Sequence, residues 1–383
     1  MYRHNLLRQQ FQTAIAQLWQ DIHQPLIDSD RRAILSALLP LCKDVPHPAS
    51  GQTYLRWQIL SDVAGKDLTI AKWLESHLDA LSILHELGYD ALIQQTSDKI
   101  WAVWAAEGST TPVTFHLDSS QSSQYSNANF GWLSQVLSSP SSQVVANQVV
   151  AKTGICCGIK TWCSGANVVD YGLMTYRDTD NRSQLVIVDM SQAGIDIDNQ
   201  GWHAVGMQAT ATASIRFDNT PVIAVGNPDD YLNRAGFWHG AAGVAACWYG
   251  ASIAIAAYLL HSYQQKPHVF KGMYLGQVSS QLSLLPVYFR AVAEQIDTAP
   301  SDSHVLMIRQ LRQQVVQTAH NVMNLVGEAL GSAPFCQSAH FARLMADLAV
   351  FIRQTHGAFD AQAIGEKLLS LSHAREQENP WQL

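Results

Sequence analysis

From Ala235 to Leu260 the chain runs for 26 residues without an Asp, Glu, Lys or Arg. A segment of that kind cannot stay wetted on all sides, so its apolar side chains must be covered. As a helix it is long enough to span a bilayer. Much of it is Ala and Gly, however, and small residues equally allow close helix contact inside a soluble bundle. The rest of the chain offers no second candidate span. The expected reading is therefore no membrane span and a fully buried central helix, with other helices packed around it.

Composition narrows the classes further. The 383 residues are too many for one simple core and imply two or three domains. Apolar residues make up 47% against 14% charged, a core-rich balance that argues against disorder. The net charge is −7, with no basic run, so nucleic acid is not an expected partner. Six cysteines show no C-x-x-C spacing, which favours reduced thiols in a cytoplasmic protein over a disulfide framework or a zinc site. Met1-Tyr-Arg-His-Asn has no apolar signal-like region, so secretion is not indicated.

Periodicity divides the chain into helices, strands, then helices again. Residues 1–95 read as an N-terminal helical domain, in which Leu68, Ala71, Leu74, Leu78, Leu81 and Leu84 recur at three and four. Asp30 is the expected N-cap of a helix that ends before Pro40, and Pro46-His-Pro48 with Gly51 makes a loop. Residues 96–230 read as a middle β-domain, with strands expected at Ile100–Ala105, Gln143–Val150, Tyr171–Tyr176, Gln184–Asp189 and Thr210–Phe217. No helices separate these strands, so an antiparallel barrel or sandwich is expected rather than a parallel sheet. Ser119–Ser142, with ten serines in 24 residues, reads as a long loop. Residues 231–383 read as a C-terminal helical bundle. Its long helix ends at Gly331 and carries Val305, Ile308, Leu311, Val315, Ala319, Val322, Val326 and Leu330 on one face; a further helix covers 339–354. The fold class expected is α+β.

The stretch with most chemical content is Gly158-Ile-Lys-Thr-Trp162-Cys163-Ser164-Gly165. An indole offers a flat face for stacking, and a hydroxyl two residues on points to the same side of a strand. That pair suits a flat heteroaromatic ring with one polar atom to satisfy. A hairpin with a core Trp and a Ser-Gly turn accounts for the same spacing. No phosphate-cradling glycine motif appears, and no histidine or paired-carboxylate metal signature. His239, inside the apolar helix, reads as a hydrogen-bonded core histidine or as a base, and His356 as a solvated residue or a base. Cys156-Cys157 reads as a buried pair or as a reactive one.

Taken with two other stretches, Gly158–Gly165 resembles the acyl-CoA dehydrogenase family. It matches that family's G-x-K-x-W-[IC]-[ST]-[NS]-G strand pair. Gly206-Met-Gln-Ala-Thr-Ala-Thr-Ala-Ser-Ile-Arg-Phe217-Asp, followed by Pro221, resembles the stretch that closes the family's middle domain, and Val103-Trp-Ala-Ala-Glu107 lies where its first flavin-contacting strand does. The resemblance implies a helical domain, a β-domain and a four-helix bundle, with FAD between the last two. By position it implies that Trp162 packs on the isoalloxazine ring, that Ser164 hydrogen-bonds near its N5, and that Trp104, Ala106 and Glu107 line the pyrimidine side, with Cys163 between. Glu328 and Gly331 stand at the adenine-binding turn. It implies an acyl-CoA or acyl-carrier thioester as substrate, an electron-transfer partner, and a homodimer or homotetramer.

Departures from the family pattern bear on the chemistry. The family removes an α-proton while a hydride leaves the β-carbon for the flavin, so a base must be aimed into a dry site. Thr355 or His356 stands near the place of the usual catalytic glutamate, and no carboxylate lies within Gly236–Trp238, where the family's alternative base falls. Gln208 replaces an arginine, Gln265–Gly272 matches the subunit-bridging R-x-x-F-G motif poorly, and the adenine turn is reduced to Glu328-Ala-Leu-Gly331-Ser332. Three functions follow: an FAD-dependent acyl-CoA dehydrogenase-like oxidoreductase with His356 or His239 as base, a flavin-dependent monooxygenase or oxidase of the same fold, or a non-catalytic scaffold that retains the fold.

Overall fold

A computed structural model describes residues 2–20, 26–117, 152–374 and 381. The expected strand at 143–150 and the serine-rich loop lie outside the described residues. In chain order the elements are α1 (Tyr2–Gln20), α2 (Asp28–Cys42), α3 (Thr53–Ala64), α4 (Leu68–Glu86), α5 (Asp90–Gln95), β1 (Trp101–Trp104), β2 (Thr114–Leu117), β3 (Lys152–Cys163), β4 (Tyr171–Arg177), β5 (Ser183–Asp189), β6 (Ile195–Asp198) and β7 (Ala213–Val225). Helices follow as α6 (Asp230–Asn233), α7 (Gly236–Gln265), α8 (Val269–Leu282), α9 (Leu285–Thr298), α10 (Val305–Leu330), α11 (Ala333–Gln337), α12 (Ala339–Phe351) and α13 (Ala358–Ala374). The α+β class read from the sequence is the class observed. The chain packs as two compact units. One draws on Met1–His47, Thr69–Ala204 and Gln208–Phe237, the other on Pro48–Leu68, Val205–Met207 and Trp238–Leu383.

In the first unit the described strands form one sheet in the order β1-β4-β5-β7-β3-β2, with β6 also paired to β7. The expectation of a purely antiparallel sheet needs correction: β1 runs parallel to β4, while the other pairs are antiparallel. The chain between β1 and β4 passes through β2 and β3, the long excursion that a parallel pair requires. The sheet curls on itself, since Lys160 on β3 donates to Thr175 on β4 and Phe115 on β2 stacks on Tyr176 of β4 at 5.4 Å. Helix α4 covers one face, packing Ala80, Ile83 and Leu84 on Trp101, Leu173, Ile187 and Ile223. It also caps the edge of β1: the Trp101 N–H donates to His77 Nδ1 and the Val103 N–H to Ser76 Oγ. The edge of β1 away from β4 is thereby hydrogen-bonded by helix side chains, with no strand pairing there among the described residues.

Three local expectations change. The N-cap of α2 is Ile27, and Asp30 sits three residues in, its carboxylate accepting the Ile27 N–H at 3.1 Å. The helix also runs through Pro40 to Cys42. Pro40 removes one backbone donor near the helix end, and burial of Leu38, Leu39 and Cys42 offsets that loss. Strand β7 starts at Ala213 rather than Thr210, because Gln208–Thr210 form a 3-10 turn and Ala211 is left-handed at φ +45°. From Ala213 onward the expected alternation holds, with Ala213, Ile215 and Phe217 buried and Arg216 exposed.

In the second unit α7 is the uncharged segment. It is long and apolar enough to cross a membrane, and 61% of its most apolar window is buried within the protein. Ala242, Ala245, Ala246, Trp248, Ala251, Ile255 and Leu259 are all in the core. Tyr249 on α7 donates to the Leu282 carbonyl of α8, Tyr288 on α9 donates to the Met307 carbonyl of α10, and Arg312 on α10 donates to the Ala241 carbonyl of α7. Ile308, Leu311, Val315, Ala319, Val322 and Val326 form the buried face of α10, as their spacing predicts. Gly250 lets α7 touch α3 directly: a Cβ there lies 2.1 Å from the Ser61 carbonyl oxygen. Gly250→Ala is therefore expected to destabilise the protein by about 1–3 kcal/mol in urea unfolding, as overpacking against rigid backbone does. A loss below about 0.5 kcal/mol would mean that α3 moves aside.

Candidate functional site

The chemistry-bearing stretch is the end of one long strand, not the strand pair or hairpin expected from the sequence. β3 pairs with β7 and β2, which are remote in sequence. Its pairing with β7 steps from Lys160↔Ile215 to Cys163↔Ala213, so β3 carries one extra residue there. That bulge holds Trp162 in the left-handed region at φ +62°, with the side chain 61% exposed. A bulky side chain at positive φ is strained, and a large exposed indole is uncovered apolar surface. The core-Trp alternative thus fails for a physical reason: the bulge turns residue 162 out of the alternation that would bury it. Trp202 meets Trp162 edge-on at 6.4 Å, and its own Nε1–H donates to the Gln208 carbonyl. Beside Trp162, the Thr161 hydroxyl is buried and has no hydrogen-bond partner among the described residues.

Ser164 does not simply share a strand face with Trp162, because the strand has ended. Its hydroxyl lies 2.8 Å from Thr212 Oγ1, which lies 2.9 Å from Thr210 Oγ1. The backbone around it is pinned. Trp104 Nε1–H donates to the Ser164 carbonyl, and the Gly165 N–H donates to the Thr210 carbonyl. Trp104 is buried against β4, where a Cβ on Gly172 lies 2.3 Å from its ring. The structure therefore gathers Trp104, Trp162, Cys163 and Ser164 with Trp202, Thr210 and Thr212. Sequence reading missed the last three. The two threonines stood in the Gly206–Phe217 stretch, but read as strand alternation they had no assigned partner.

Ala106 and Glu107 follow the end of β1 and are exposed. Glu107 accepts two bonds from Arg177 Nε, at 2.8 and 3.1 Å, an exposed pair of small energetic weight. Beneath them Lys160 is buried, and its ammonium donates to the Thr175 carbonyl at 2.6 Å and to Thr175 Oγ1 at 3.0 Å. Burial lowers its pKa to about 8, against the attraction of Cys163 and Glu107. Cys163 is buried, and burial pushes its thiol up. The same cause lifts Cys156 to about 12, so Cys156 is an inert buried thiol, while Cys157 is half-buried with its Sγ 3.6 Å from Asn219 Oδ1.

The remaining predicted residues lie in the second unit. His239 is 1% exposed, and its Nε2 is 2.8 Å from the Asp302 carbonyl, which fixes Nε2 as the donor. His356 is exposed, in the turn between α12 and α13. Its backbone N–H and the Thr355 hydroxyl both donate to Asp360 Oδ2. Asp360 Oδ1 is 3.2 Å from Arg309 Nε, and the Arg309 guanidinium lies over the Trp238 ring at 4.5 Å. Trp238 and Thr355–His356, remote in sequence, are thus linked through Arg309 and Asp360, neither of which the sequence reading singled out. Glu328 is exposed near the end of α10, where it accepts from Asn324, and Gly331 ends the helix at φ +67° with open space around it.

Two measurements check this geometry. In urea unfolding, Trp162→Gly is expected to be more stable than Trp162→Ala by about 1 kcal/mol, since both remove the indole and only Ala keeps the left-handed penalty. The opposite order would mean that residue 162 is not left-handed. Lys160 binds its proton more weakly folded than unfolded, so the unfolded chain holds more protons from about pH 8 up to the ordinary value of 10.5. Across that window wild type is expected to gain stability relative to Lys160→Met as pH rises. A flat difference would show that Lys160 is solvated.

Comparison with protein-family models and with curated proteins gives no match. Solved structures do match. The KijD3 structure in complex with FMN and a dTDP-3-amino-4-keto sugar superposes with a TM-score of 0.74 at 16% identity, over 99% of this chain and 95% of that one. FMN-bound TdsC from Paenibacillus sp. A11-2, a dibenzothiophene monooxygenase, gives 0.65 at 15% identity over 96% of each chain. Butyryl-CoA dehydrogenase from Megasphaera elsdenii gives 0.70 at 13% identity, over 95% of this chain and 98% of that one. At these identities what is shared is the architecture, and the chain has the fold of butyryl-CoA dehydrogenase.

Proposed function

We propose that this chain is a flavin-dependent oxidoreductase. The observation that carries the reading is Trp162, a large indole held exposed in a strained conformation by a bulge and backed by a chain of hydroxyls. Strain of this kind concentrates at functional sites. The buried, unpartnered hydroxyl of Thr161 beside it fits a polar ligand edge better than a closed core. Trp162 would hold the ring by stacking, Ser164 would hydrogen-bond its edge, and backbone groups of Trp104, Ala106 and Glu107 would line it. When bound, the flavin supplies hydride or oxygen chemistry that no side chain here can supply. FAD is the cofactor that the sequence resemblance implies, while KijD3 and TdsC were solved with FMN.

Between the two flavin reactions, we infer the oxygen-using one, a monooxygenase or oxidase. Acyl-thioester desaturation needs an unengaged base. Here the carboxylate nearest Thr355–His356 is Asp360, which caps the start of α13 and faces Arg309. His239 is buried and donates to a carbonyl. The dehydrogenase reading survives through His356, the exposed imidazole in that turn.

Purified protein incubated with FMN or FAD is expected to gain the visible flavin absorbance, and Trp162→Ala to lose it while remaining folded. After dithionite reduction the wild-type flavin is expected to reoxidise rapidly in O2, and acyl-CoA added anaerobically to the oxidised protein to leave the colour unchanged. Bleaching by acyl-CoA that His356→Ala abolishes would reverse the assignment in favour of dehydrogenation. A wild type that takes up neither flavin would leave the scaffold reading.

A further inference from the structure

Ser164 Oγ, Thr212 Oγ1 and Thr210 Oγ1 form a continuous chain with links of 2.8 and 2.9 Å, and in each link either oxygen could be the donor. Each hydroxyl has one proton to give and lone pairs to receive, so the chain has a direction. With Ser164 donating outward, Thr212 donates to Ser164 and Thr210 to Thr212. With Ser164 accepting from outside, both links reverse. Thr210 and Thr212 are 2% and 8% exposed, which limits water as a substitute partner. The backbone on either side is held by Trp104 Nε1 on the Ser164 carbonyl and by the Gly165 N–H on the Thr210 carbonyl. The oxygens therefore keep their places while the protons remain free to turn. In a shielded chain that turning is coupled, because a link with two donors or two acceptors is unfavourable.

We propose that Thr212 and Thr210 are positioning residues that set, and on reduction reverse, the hydrogen-bond direction of the Ser164 hydroxyl at the edge of a bound flavin. The proposal rests on the flavin reading above. A ring nitrogen of oxidised flavin accepts a hydrogen bond, and the same nitrogen carries a proton after two-electron reduction and donates one. A single hydroxyl that can serve both states without losing its inner partner stabilises both, and hydrogen bonds to ring nitrogens are a main lever on flavin electronics. Thr212 supplies that inner partner, and Thr210 supplies the partner of Thr212.

The test is a double-mutant cycle on the full chain. Affinity for FMN and FAD is read by quenching of flavin fluorescence, and the midpoint potential by dithionite titration against reference dyes. Thr212→Val is expected to weaken flavin binding several-fold and to shift the potential in the same direction as Ser164→Ala. Thr212→Ser is expected to restore both, and Thr212→Val is expected to add nothing in the Ser164→Ala background. Thr210→Val follows the same pattern at smaller amplitude, and carries the test if Thr212→Val does not fold. Bound flavin with an unchanged potential in the valine variants would overturn the proposal while leaving the flavin reading intact. So would an effect of Thr212→Val that is equally large without the Ser164 hydroxyl, since that is a packing role. A wild type that binds neither flavin overturns both.

Discussion

The bulge near the end of β3 is the constraint on which the rest of the site depends. One extra residue between Lys160 and Cys163 breaks the two-residue alternation. Lys160 and Cys163 stay inside, and Trp162 between them is turned out. Without that residue the indole would follow the pleat, and Ser164 would not reach the turn at Thr210–Thr212. A second irregularity lies along the same pair. Between Cys156↔Thr220 and Gly158↔Phe217 the extra residue belongs to β7, where Asn219 is left-handed. The two offsets have opposite sense, so the register of the strands is recovered by their ends while the segment between is displaced. A bulge costs ladder hydrogen bonds, and this pair carries two. The neighbouring strands limit the loss, with β2 pairing Gly154–Cys157 of β3 and β6 and β5 pairing Ser214–Phe217 and Ile223–Val225 of β7.

Buried polar groups show how each unit tolerates its irregular segments. In the first, Lys160 brings an ammonium into the sheet interior with no carboxylate in contact among the described residues, held by a carbonyl and a hydroxyl of Thr175. Burial is the main cause of its lowered pKa, and its bonds join β3 to β4 where the two are not ladder neighbours. In the second, Gly206 packs against backbone at Ala346, and the Met207 N–H donates to the buried carboxylate of Asp347 at 2.5 Å. Asp347 ties a short excursion of the chain to α12, and a charged acceptor makes that bond stronger than a neutral one. The second device spares the buried Met207 N–H the loss of a partner, which costs about 1–3 kcal/mol.

Much of the scaffold was legible because it follows from period and coverage. The three- and four-residue recurrence of Leu68–Leu84 produced α4, and that of Ile308–Val326 the buried face of α10, ended by Gly331. The uncharged stretch became a long helix of the bundle, with Ala and Gly where α3 and α10 approach, but it is not fully buried as expected, since Ile253 and Leu260 are exposed. Where the reading failed, tertiary contacts overrode local rules. Asp30 looks like an N-cap, yet it acts from three residues inside α2, because the helix begins earlier. Pro40 looks like a stop, yet apolar burial on both sides of it carries the helix past. The β-branched run at Thr210 looks like a strand, yet its first residues are a turn whose hydroxyls serve Ser164.

By itself the sequence determined the α+β class, the order helices–strands–helices and the faces that must be buried, because those depend on the spacing of apolar residues along the chain. It also marked Trp162 and Ser164 as a pair worth attention, on residue type alone. Only the tertiary structure decided that Trp162 is exposed and left-handed, that Ser164 ends a three-hydroxyl chain, and that Asp360 is tied to Arg309 beside Thr355 and His356. The physical reason is common to all three. A register offset, a hydroxyl relay and an ion pair join residues tens of positions apart, and local spacing carries no information about which distant strand or helix will lie alongside.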